Sequence, residues 1–389
     1  MKMSILGDIS ISEFLEQYWQ KKPLLIRGAF PGFQCPLEPD DLAGLSLEDE
    51  AESRIIIENG PNHKWELING PFEESTFETL PEEDWTLLVQ GVNQWAPELA
   101  DLLESFKFIP NWRLDDIMAS FAVKGGSVGP HYDQYDVFLL QAHGQRQWQV
   151  GPKCNDSTAL REDTPLCILQ QMDIEEEWTL NPGDMLYLPP KCAHNGRALN
   201  DCITLSIGFR APSTADALQG VTDHLCAKLD QFDRYEDPWL ESALETPALV
   251  TDQAATELQA HLLKLLSKEN IKEWIAESMS ENKYPELHEP LEDPLEWDEI
   301  QPFLTEDHTL VQNETSRWVY TLSDSEITCF INGTEYRYPL NSNSHDLLVT
   351  LANQRITELA DILSYLEEEE PKDILLDLIN NNFLYFDEL

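Results

Sequence analysis

The chain has 389 residues and a formal net charge of −47, from 72 acidic and 25 basic residues. An apolar content of 42% indicates a folded protein with at least one sizeable core, and it excludes a disordered chain. Such acidity argues against binding to nucleic acid phosphates or anionic membranes and favours a basic partner, such as a ribosomal protein, a histone-like protein or a polyamine. Adaptation to salt or a gain in solubility would also explain the charge, so both interpretations stay open.

Cysteine usage and apolar patterning indicate where the protein works. The cysteine number is odd and no C-x-x-C occurs, which argues against a disulfide framework and a thiolate zinc site and favours a reducing compartment. The N-terminus lacks the continuous apolar core of a signal peptide, and no apolar run reaches the roughly 18 residues of a membrane span. We therefore expect a soluble, cytoplasmic protein that does not enter a membrane.

The N-terminal part predicts short helices and strands. A capping box opens a helix from Glu13 to Trp19, and a short apolar strand from Pro23 to Arg27 follows. Two further strands, Ser53 to Glu58 and His63 to Ile68, are expected on either side of the Asn59-Gly60-Pro61 turn.

From Trp112 to Ala211 the chain has the pattern of a β domain. Short apolar runs alternate with Gly- and Pro-rich turns, which is typical of a barrel or a sandwich. The predicted strands are Ile117 to Val123, Val137 to Gln141, Arg146 to Val150, Cys167 to Gln171, Glu177 to Leu180, Asp184 to Leu188 and Cys202 to Phe209.

Past this β domain the pattern becomes helical. Segments Thr214 to Gln231 and Ala254 to Leu266 repeat apolar residues every three to four positions, and Ile271 to Met279 forms a further short helix. A pair of long amphipathic helices after a β domain favours an interface between subunits, so we predict a homodimer formed through this segment. A plain linker within the chain is the alternative.

The C-terminal part predicts a β-hairpin combined with three short helices, a winged-helix-like arrangement. Between Glu289 and Leu389 the sequence has 23 Asp or Glu and four Lys or Arg, so no basic stripe is available for a phosphate backbone. We expect a docking role without direct nucleic acid contact. The predicted helices are His345 to Leu351, Thr357 to Leu366 and Lys372 to Asn381, and the domain division is 1–211, 212–285 and 286–389.

The stretch from Gly125 to Trp148 carries the candidate chemistry. His131 and Asp133 lie two residues apart in a β-prone run, and side chains at i and i+2 of a strand share one face. With His194, which follows a Pro-Gly-Asp turn and a Pro-Pro stop, they would form a facial triad of two imidazoles and one carboxylate. Such a triad leaves cis positions on Fe(II) open for a bidentate co-substrate and dioxygen.

Two further residues predict an anion site in the same barrel. Arg146 alternates with Trp148 along a strand, and an inward guanidinium is costly unless an anion meets it. Its fork matches the distal carboxylate of a dicarboxylate, and Ser120 could add a hydroxyl. The alternatives are an outward surface Arg146 and a Ser120 that is merely buried.

Three stretches resemble the JmjC-type 2-oxoglutarate oxygenases, and within them the bacterial ribosomal oxygenases. They are FLEQYWQKKPLLIRGAF near the N-terminus, SFAVKGGSVGPHYDQYDVFLLQAHGQRQWQVG, and NPGDMLYLPPKCAHNGRAL followed by CITLSIGFRAP. The resemblance implies a mainly β fold with added α-helices, in which a double-stranded β-helix (cupin/JmjC) barrel precedes a helical dimerisation segment and a C-terminal winged-helix-like domain.

The resemblance also implies functional roles. Carried over by position, His131, Asp133 and His194 would bind Fe(II), and Ser120 and Arg146 would hold the distal carboxylate of 2-oxoglutarate. The implied reaction couples oxidative decarboxylation of 2-oxoglutarate by dioxygen to hydroxylation of an arginine, at its β-carbon, in the large-subunit ribosomal protein L-sixteen. Family members are dimers.

Two other functions remain open from the residues alone. The same triad would serve a histidine hydroxylase or a lysine demethylase, because the iron chemistry is shared. A non-catalytic cupin-type protein that binds a metal or a basic partner would carry the same ligands without turnover.

Overall fold

A computed structural model describes residues 5–59, 64–230, 234–237 and 245–387. The chain forms two compact units, Met1–Ala211 with Tyr284–His288, and Pro212–Lys283 with Glu289–Leu389. The three-part domain division stays a prediction. The predicted Asn59-Gly60-Pro61 turn and the predicted helix end at Gln231 fall partly or wholly outside the described residues.

The first unit is built on two antiparallel sheets. The strands are β1 (Leu24–Ile26), β2 (Ser53–Asn59), β3 (Lys64–Asn69), β4 (Trp85–Val89), β5 (Leu114–Ala122), β6 (Val137–His143), β7 (Arg146–Lys153), β8 (Glu176–Leu180), β9 (Met185–Leu188), β10 (Cys192–Ala198) and β11 (Cys202–Phe209). An eight-stranded sheet has the order β1-β9-β6-β11-β5-β4-β2-β3, and a three-stranded sheet has the order β10-β7-β8. Together they form the expected double-stranded β-helix.

Both faces of the central strands β4, β6 and β9 are buried, which explains their nearly continuous apolar sequences. Along β6, Phe138 and Leu140 pack into the large outer core, whereas Val137 and Leu139 pack between the two sheets. Residues of the N-terminal helices also enter the outer core. These helices are α1 (Ile11–Gln17), α2 (Pro39–Leu45), α3 (Glu74–Glu78) and α4 (Pro97–Leu103).

Two sequence predictions in the β domain are wrong. The predicted strand from Cys167 to Gln171 lies in the loop between β7 and β8, where only one isolated bridge forms, between Leu160 and Leu169. Conversely, β10 was not predicted, because Pro189 and Pro190 read as a stop. The chain turns at Lys191, whose φ is +67°, and a new strand that contains His194 begins at Cys192.

The second unit begins with three helices, α5 (Thr214–Lys228), α6 (Asp252–Leu265) and α7 (Lys268–Ser280). Helices α5 and α7 pack through Val221, Leu225 and Trp274. Ion pairs flank this contact, with Lys228 Nζ 2.8 Å from a carboxylate oxygen of Glu273 on α7. Helix α6 differs from both neighbours, since none of its residues is buried.

The C-terminal part contains two three-stranded antiparallel sheets around one core, with orders β16-β12-β17 and β13-β14-β15. The predicted helix from Thr357 to Leu366 is wrong: the segment forms a short strand and 3₁₀ turns. The elements are α8 (Trp297–Ile300), β12 (Thr309–Gln312), β13 (Trp318–Leu322), β14 (Glu326–Ile331), β15 (Thr334–Pro339), α9 (Asn343–Asn353), β16 (Ile356–Glu358), α10 (Glu369–Asn380) and β17 (Leu384–Phe386).

Two further findings concern the helices and the cysteines. None of the helices in the described ranges has both the length and the apolarity that crossing a bilayer requires. All seven cysteines are free thiols: Cys35, Cys154, Cys167, Cys192, Cys202, Cys226 and Cys329.

Candidate active site

His131 and His194 meet across a short backbone bridge between β10 and the loop that precedes β6. The His131 amide donates to the His194 carbonyl at 2.9 Å, and the His194 amide donates back at 2.8 Å. Their rings lie with centroids 4.2 Å apart. The expectation that His131 and Asp133 share a regular strand is wrong, because His131 lies in an isolated bridge and Asp133 in no strand.

Asp133 nevertheless joins the two histidines. The Lys191 amide donates to the Asp133 carbonyl at 2.6 Å, which places the carboxylate beside the start of β10. The Asp133 carboxylate lies 3.6 Å from Nε2 of His194. One ligand atom from each of His131, Asp133 and His194 lies within 4.8 Å of the others, a spacing suited to one metal ion.

Hydrogen bonds to the backbone fix both imidazoles for metal binding. Nδ1 of His131 lies 2.9 Å from the Gly129 carbonyl, and Nδ1 of His194 lies 2.9 Å from the Cys192 carbonyl. A carbonyl oxygen only accepts, so each Nδ1 must carry the hydrogen and each Nε2 keeps its lone pair. Both rings therefore present the nitrogen that a metal would bind.

The electrostatics of His194 also favour a metal ligand. His194 is 2% exposed. Burial is the main cause that lowers its pKa to about 4, the charge of His131 lowers it further, and Asp133 opposes both. Because metal binding requires the neutral imidazole, this side chain needs no deprotonation at neutral pH.

Arg146 is the second unusual group of the barrel. It starts β7, is 3% exposed, and lies with its guanidinium carbon 5.7 Å from the centre of the Trp148 ring. Among the described residues, its Nε and Nη2 atoms have no hydrogen-bond partner. A buried guanidinium without a carboxylate is strongly unfavourable by itself. Arg146 therefore fits an anionic ligand that arrives from outside the chain.

Ser120 lies on β5 of the opposite sheet. Its neighbour Ala122 packs against Ala198 of β10, so this face of β5 is turned toward the small sheet that holds Arg146. Ser120 Oγ donates to the Thr204 carbonyl at 3.4 Å. Thr204 in turn donates its hydroxyl to Oε1 of the buried Gln141 at 3.1 Å. The sequence reasoning missed these two polar residues, although alternation along β6 and β11 would have turned them inward.

Carboxylates lie near Tyr135, two residues after Asp133 of the candidate metal site. The pKa of the Tyr135 hydroxyl is raised, first by burial and next by the nearby charges of Asp133 and Asp116. Tyr135 is 43% exposed as a whole residue, so burial concerns only part of the side chain. Arg54 opposes these carboxylates without outweighing them, so the surroundings of the Tyr135 hydroxyl are net negative and attract a cationic side chain.

Comparisons with protein families agree with this architecture. A family model described as a JmjC domain matches residues 101–217, and a model described as a ROXA-like winged helix matches residues 257–385. The "Ribosomal protein uL16 3-hydroxylase" of Escherichia coli is 35% identical over 381 residues, 96% of this chain and 97% of that protein. The "Probable ribosomal oxygenase" of Haemophilus influenzae is 35% identical over 384 residues, 95% and 93% respectively.

A solved structure supports the same assignment over the whole chain. The ribosomal oxygenase YcfD from Escherichia coli, in complex with cobalt and 2-oxoglutarate, superposes with a TM-score of 0.85 at 33% identity, covering 98% of this chain and 99% of that one. The likeness therefore includes the barrel, the helical segment and the winged helix. This chain belongs to the JmjC-domain ribosomal oxygenase family.

Proposed function

We propose that the chain is an Fe(II)- and 2-oxoglutarate-dependent oxygenase that hydroxylates the β-carbon of an arginine in the large-subunit ribosomal protein uL16. The observation that carries the proposal is one barrel that combines two features. His131, Asp133 and His194 present metal-ligand atoms within 4.8 Å of one another. The buried Arg146 has two guanidinium nitrogens without partners among the described residues.

The residues fit the cofactors by their donor chemistry. Two imidazole nitrogens and one carboxylate form the ligand set that non-haem Fe(II) oxygenases use, which leaves positions open for co-substrates. Arg146 would hold the distal carboxylate of 2-oxoglutarate, with Ser120 on the facing sheet. When bound, the iron supplies the activation of dioxygen that couples decarboxylation of 2-oxoglutarate to succinate with transfer of one oxygen atom to the substrate.

The protein's own contribution is to orient these groups and to limit water around them. The two backbone carbonyls hold the imidazoles in one tautomer and one orientation. The ring centroids of Trp148 and His194 are 5.9 Å apart, and the same indole packs beside Arg146. An apolar ring therefore lies between the metal site and the carboxylate site. Low exposure strengthens the electrostatic attraction of Arg146 for a carboxylate.

Three observations support a β-hydroxylated arginine as the product. The Escherichia coli relative is named a 3-hydroxylase of uL16, and carbon 3 of an amino acid is its β-carbon. Around Tyr135 the charges of Asp133, Asp116 and Asp115 outweigh that of Arg54, and this negative potential suits a guanidinium better than a neutral side chain. The net charge of −47 favours encounter with a basic ribosomal protein.

Reconstitution with purified components tests the proposal. Uncoupled turnover is separated from substrate oxidation by measuring succinate and the mass of uL16 in the same reaction. We expect 2-oxoglutarate-dependent succinate and a gain of one oxygen atom, placed on an arginine by fragment mass spectrometry. An oxygen placed on histidine, or loss of a methyl group from lysine, would support the other JmjC activities instead. Metal binding without succinate or modification would support the non-catalytic alternative.

We propose that two chains associate through α6. Leu258 and Leu262 lie four residues apart on one face of this helix and are 43% and 48% exposed. The helix also carries Leu263, which is 59% exposed, and such exposed leucines favour burial against an equivalent surface of a second copy. We further propose that the protein works in the cytoplasm, where its ribosomal substrate is made, without direct contact to nucleic acid or membrane.

A further inference from the structure

We infer that Asn195 and Ser127 are positioning residues for the metal site, which hold the imidazole of His131 through a relay of hydrogen bonds from the outer face of the small sheet. The inference rests on the proposed metal site and adds residues to which nothing above assigns a role. Asn195 directly follows His194 on β10, so one short strand would position both histidine ligands.

The relay can be followed atom by atom from the metal side. Nδ1 of His131 donates to the Gly129 carbonyl at 2.9 Å, and the Gly129 amide donates to Oγ of Ser127 at 3.0 Å. Ser127 is fully buried. Its hydroxyl donates to Oδ1 of Asn195 at 3.0 Å. Ser127 thus links the loop that carries His131 to the strand that carries His194.

The relay continues across the small sheet to the surface. Nδ2 of Asn195 donates to Oε1 of Gln149 on β7 at 3.2 Å, and Nε2 of Gln149 donates to the Glu177 carboxylate on β8 at 2.8 Å. Asn195 pairs with Gln149 in the sheet register, and Gln149 pairs with Glu177. Three neighbouring strands therefore present their relay side chains in one row.

The direction of every hydrogen bond is determined from both ends. The Gly129 amide can only donate, so the Ser127 hydroxyl accepts there and must donate its own hydrogen to Asn195. At the other end, an ionised Glu177 can only accept, so Gln149 must present its amide nitrogen there and its oxygen to Asn195. The two constraints agree on the same orientation of both side-chain amides, so the relay has one arrangement without unpaired groups.

Gly129 explains why His131 needs this support. It adopts φ of +81°, and an added Cβ would lie 2.7 Å from a methyl carbon of Ile168, so it is closely enclosed. Around it the chain runs outside any regular strand, and His131 is anchored by an isolated bridge alone. Without Ser127 the Gly129 amide loses its acceptor, so the residue whose carbonyl orients the imidazole loses one of the hydrogen bonds that fix it.

Cobalt(II) affinity and the visible absorption of bound cobalt test the inference without relying on turnover. The variants are Ser127→Ala, Asn195→Leu and the combined variant, with Gln147→Met as a matched control on the same outward face of β7. Far-ultraviolet circular dichroism and a metal-free melting temperature establish that each is folded. If either single variant does not fold, the other tests the same link.

We expect each single variant to bind cobalt about tenfold more weakly, as for other groups that orient metal-bound histidines. The absorption bands should shift, and the combined variant should bind no more weakly than the worse single variant, because both substitutions break one relay. Affinity and spectrum equal to those of the control would overturn the inference, as would additive losses. Failure of the unmodified chain to bind cobalt would instead contradict the proposed function.

Discussion

At the scale of single residues, Arg146 shows how the barrel is arranged for a ligand at the expense of its own stability. A guanidinium that is 3% exposed and has two nitrogens without partners among the described residues destabilises the ligand-free protein. The same features provide a strong site for a carboxylate in a region of low dielectric. Function and stability therefore make opposite demands on this residue.

Arg146→Met separates these two demands. The substitution keeps the length of the side chain and removes its charge, so the melting temperature without 2-oxoglutarate should stay equal or rise. The 2-oxoglutarate concentration for half-maximal turnover should rise at least about thirtyfold, equivalent to a loss of ~2 kcal/mol, because the carboxylate would be buried unpaired. Arg146→Lys keeps the charge but not the planar guanidinium. Its 2-oxoglutarate concentration for half-maximal turnover should lie between those of the unmodified chain and Arg146→Met. An unchanged 2-oxoglutarate requirement in Arg146→Met would refute the assigned role.

At the scale of secondary-structure elements, β10 is the strand on which the site is assembled. It contributes His194 and gives His131 its backbone partner. It also contributes Gly196, where an added Cβ would lie 2.7 Å from two ring atoms of Trp148. The indole therefore lies directly over the Gly196 backbone, and this close approach sets its position beside Arg146.

Gly196→Ala should disturb the site through this ring. The methyl group must displace Trp148, at a cost of roughly 1–3 kcal/mol in unfolding free energy, and 2-oxoglutarate binding should weaken because Arg146 packs on the same indole. Gly208→Ala is the control, since the nearest atoms to its added methyl group lie 3.8 Å away on another strand of the barrel. Chemical denaturation and 2-oxoglutarate titration measure both effects. Equal behaviour of the two variants would contradict the close packing of Trp148.

The edge of the large sheet depends on Asp184, in the turn before β9. Its carboxylate accepts from the Gly28 amide at 2.9 Å and from Arg27 Nη1 at 2.6 Å, which ties β1 to the barrel. Burial acts to raise the pKa of Asp184, but hydrogen bonds from Gly28, Asn181 and Arg27 outweigh it, so the pKa is lowered. A carboxyl group with a lowered pKa stabilises the fold while it is ionised.

Asp184→Asn should therefore lower the unfolding free energy by ~2 kcal/mol at neutral pH, the range for hydrogen bonds to a charged group. The sign follows from the lowered pKa: the stabilisation is complete above the unfolded value of about 4 and is lost as pH falls through the folded value. The difference from the unmodified chain should shrink at acidic pH in denaturation curves. Asp201→Asn, on an exposed turn, should show no such difference. A difference in unfolding free energy between Asp184→Asn and the unmodified chain that is independent of pH would show that the charge of Asp184 is not the cause of that difference.

At the scale of the whole molecule, charge and exposed apolar surface point to two kinds of partner. The acidity favours a basic substrate protein, and the leucines of α6 favour a second copy of the chain. Leu258→Glu combined with Leu262→Glu should lower the mass in light scattering to that of a monomer, because two charges would have to be buried. Ala260→Glu, on the opposite face of α6, should leave the mass unchanged. A monomeric unmodified chain would contradict the dimer.

Much of this organisation could be predicted from the sequence. Spacing and turn residues indicated the barrel, the helical segment and the C-terminal hairpin, because burial imposes a period of two on strands and 3.6 on helices. The structure brings His131, Asp133 and His194 together as predicted, and Arg146 is buried beside Trp148. The reason given for His131 and Asp133 was nevertheless wrong, since the two meet His194 from a loop and not from one strand.

The failures have one physical origin, which is that distant contacts override local pattern. The Cys167 to Gln171 run has strand composition but finds no adjacent strand to pair with. β10 follows two prolines, yet it pairs with β7 from Cys192 to Ala198, with a shift in register between Cys192 and His194. The relay through Ser127 and Asn195 joins residues 68 positions apart, and nothing in the local sequence marks their contact.

The central claim is that His131, Asp133 and His194 support oxidation of an arginine in uL16. The most direct measurement is the intact mass together with the fragment masses of uL16 from cells that contain the unmodified chain, no chain, or Asp133→Ala. The unmodified chain should add one oxygen atom to an arginine, and both other samples should lack it, since Asp133→Ala removes a metal ligand. An oxidised uL16 in cells with Asp133→Ala, or an unmodified one in cells with the intact chain, would contradict the account.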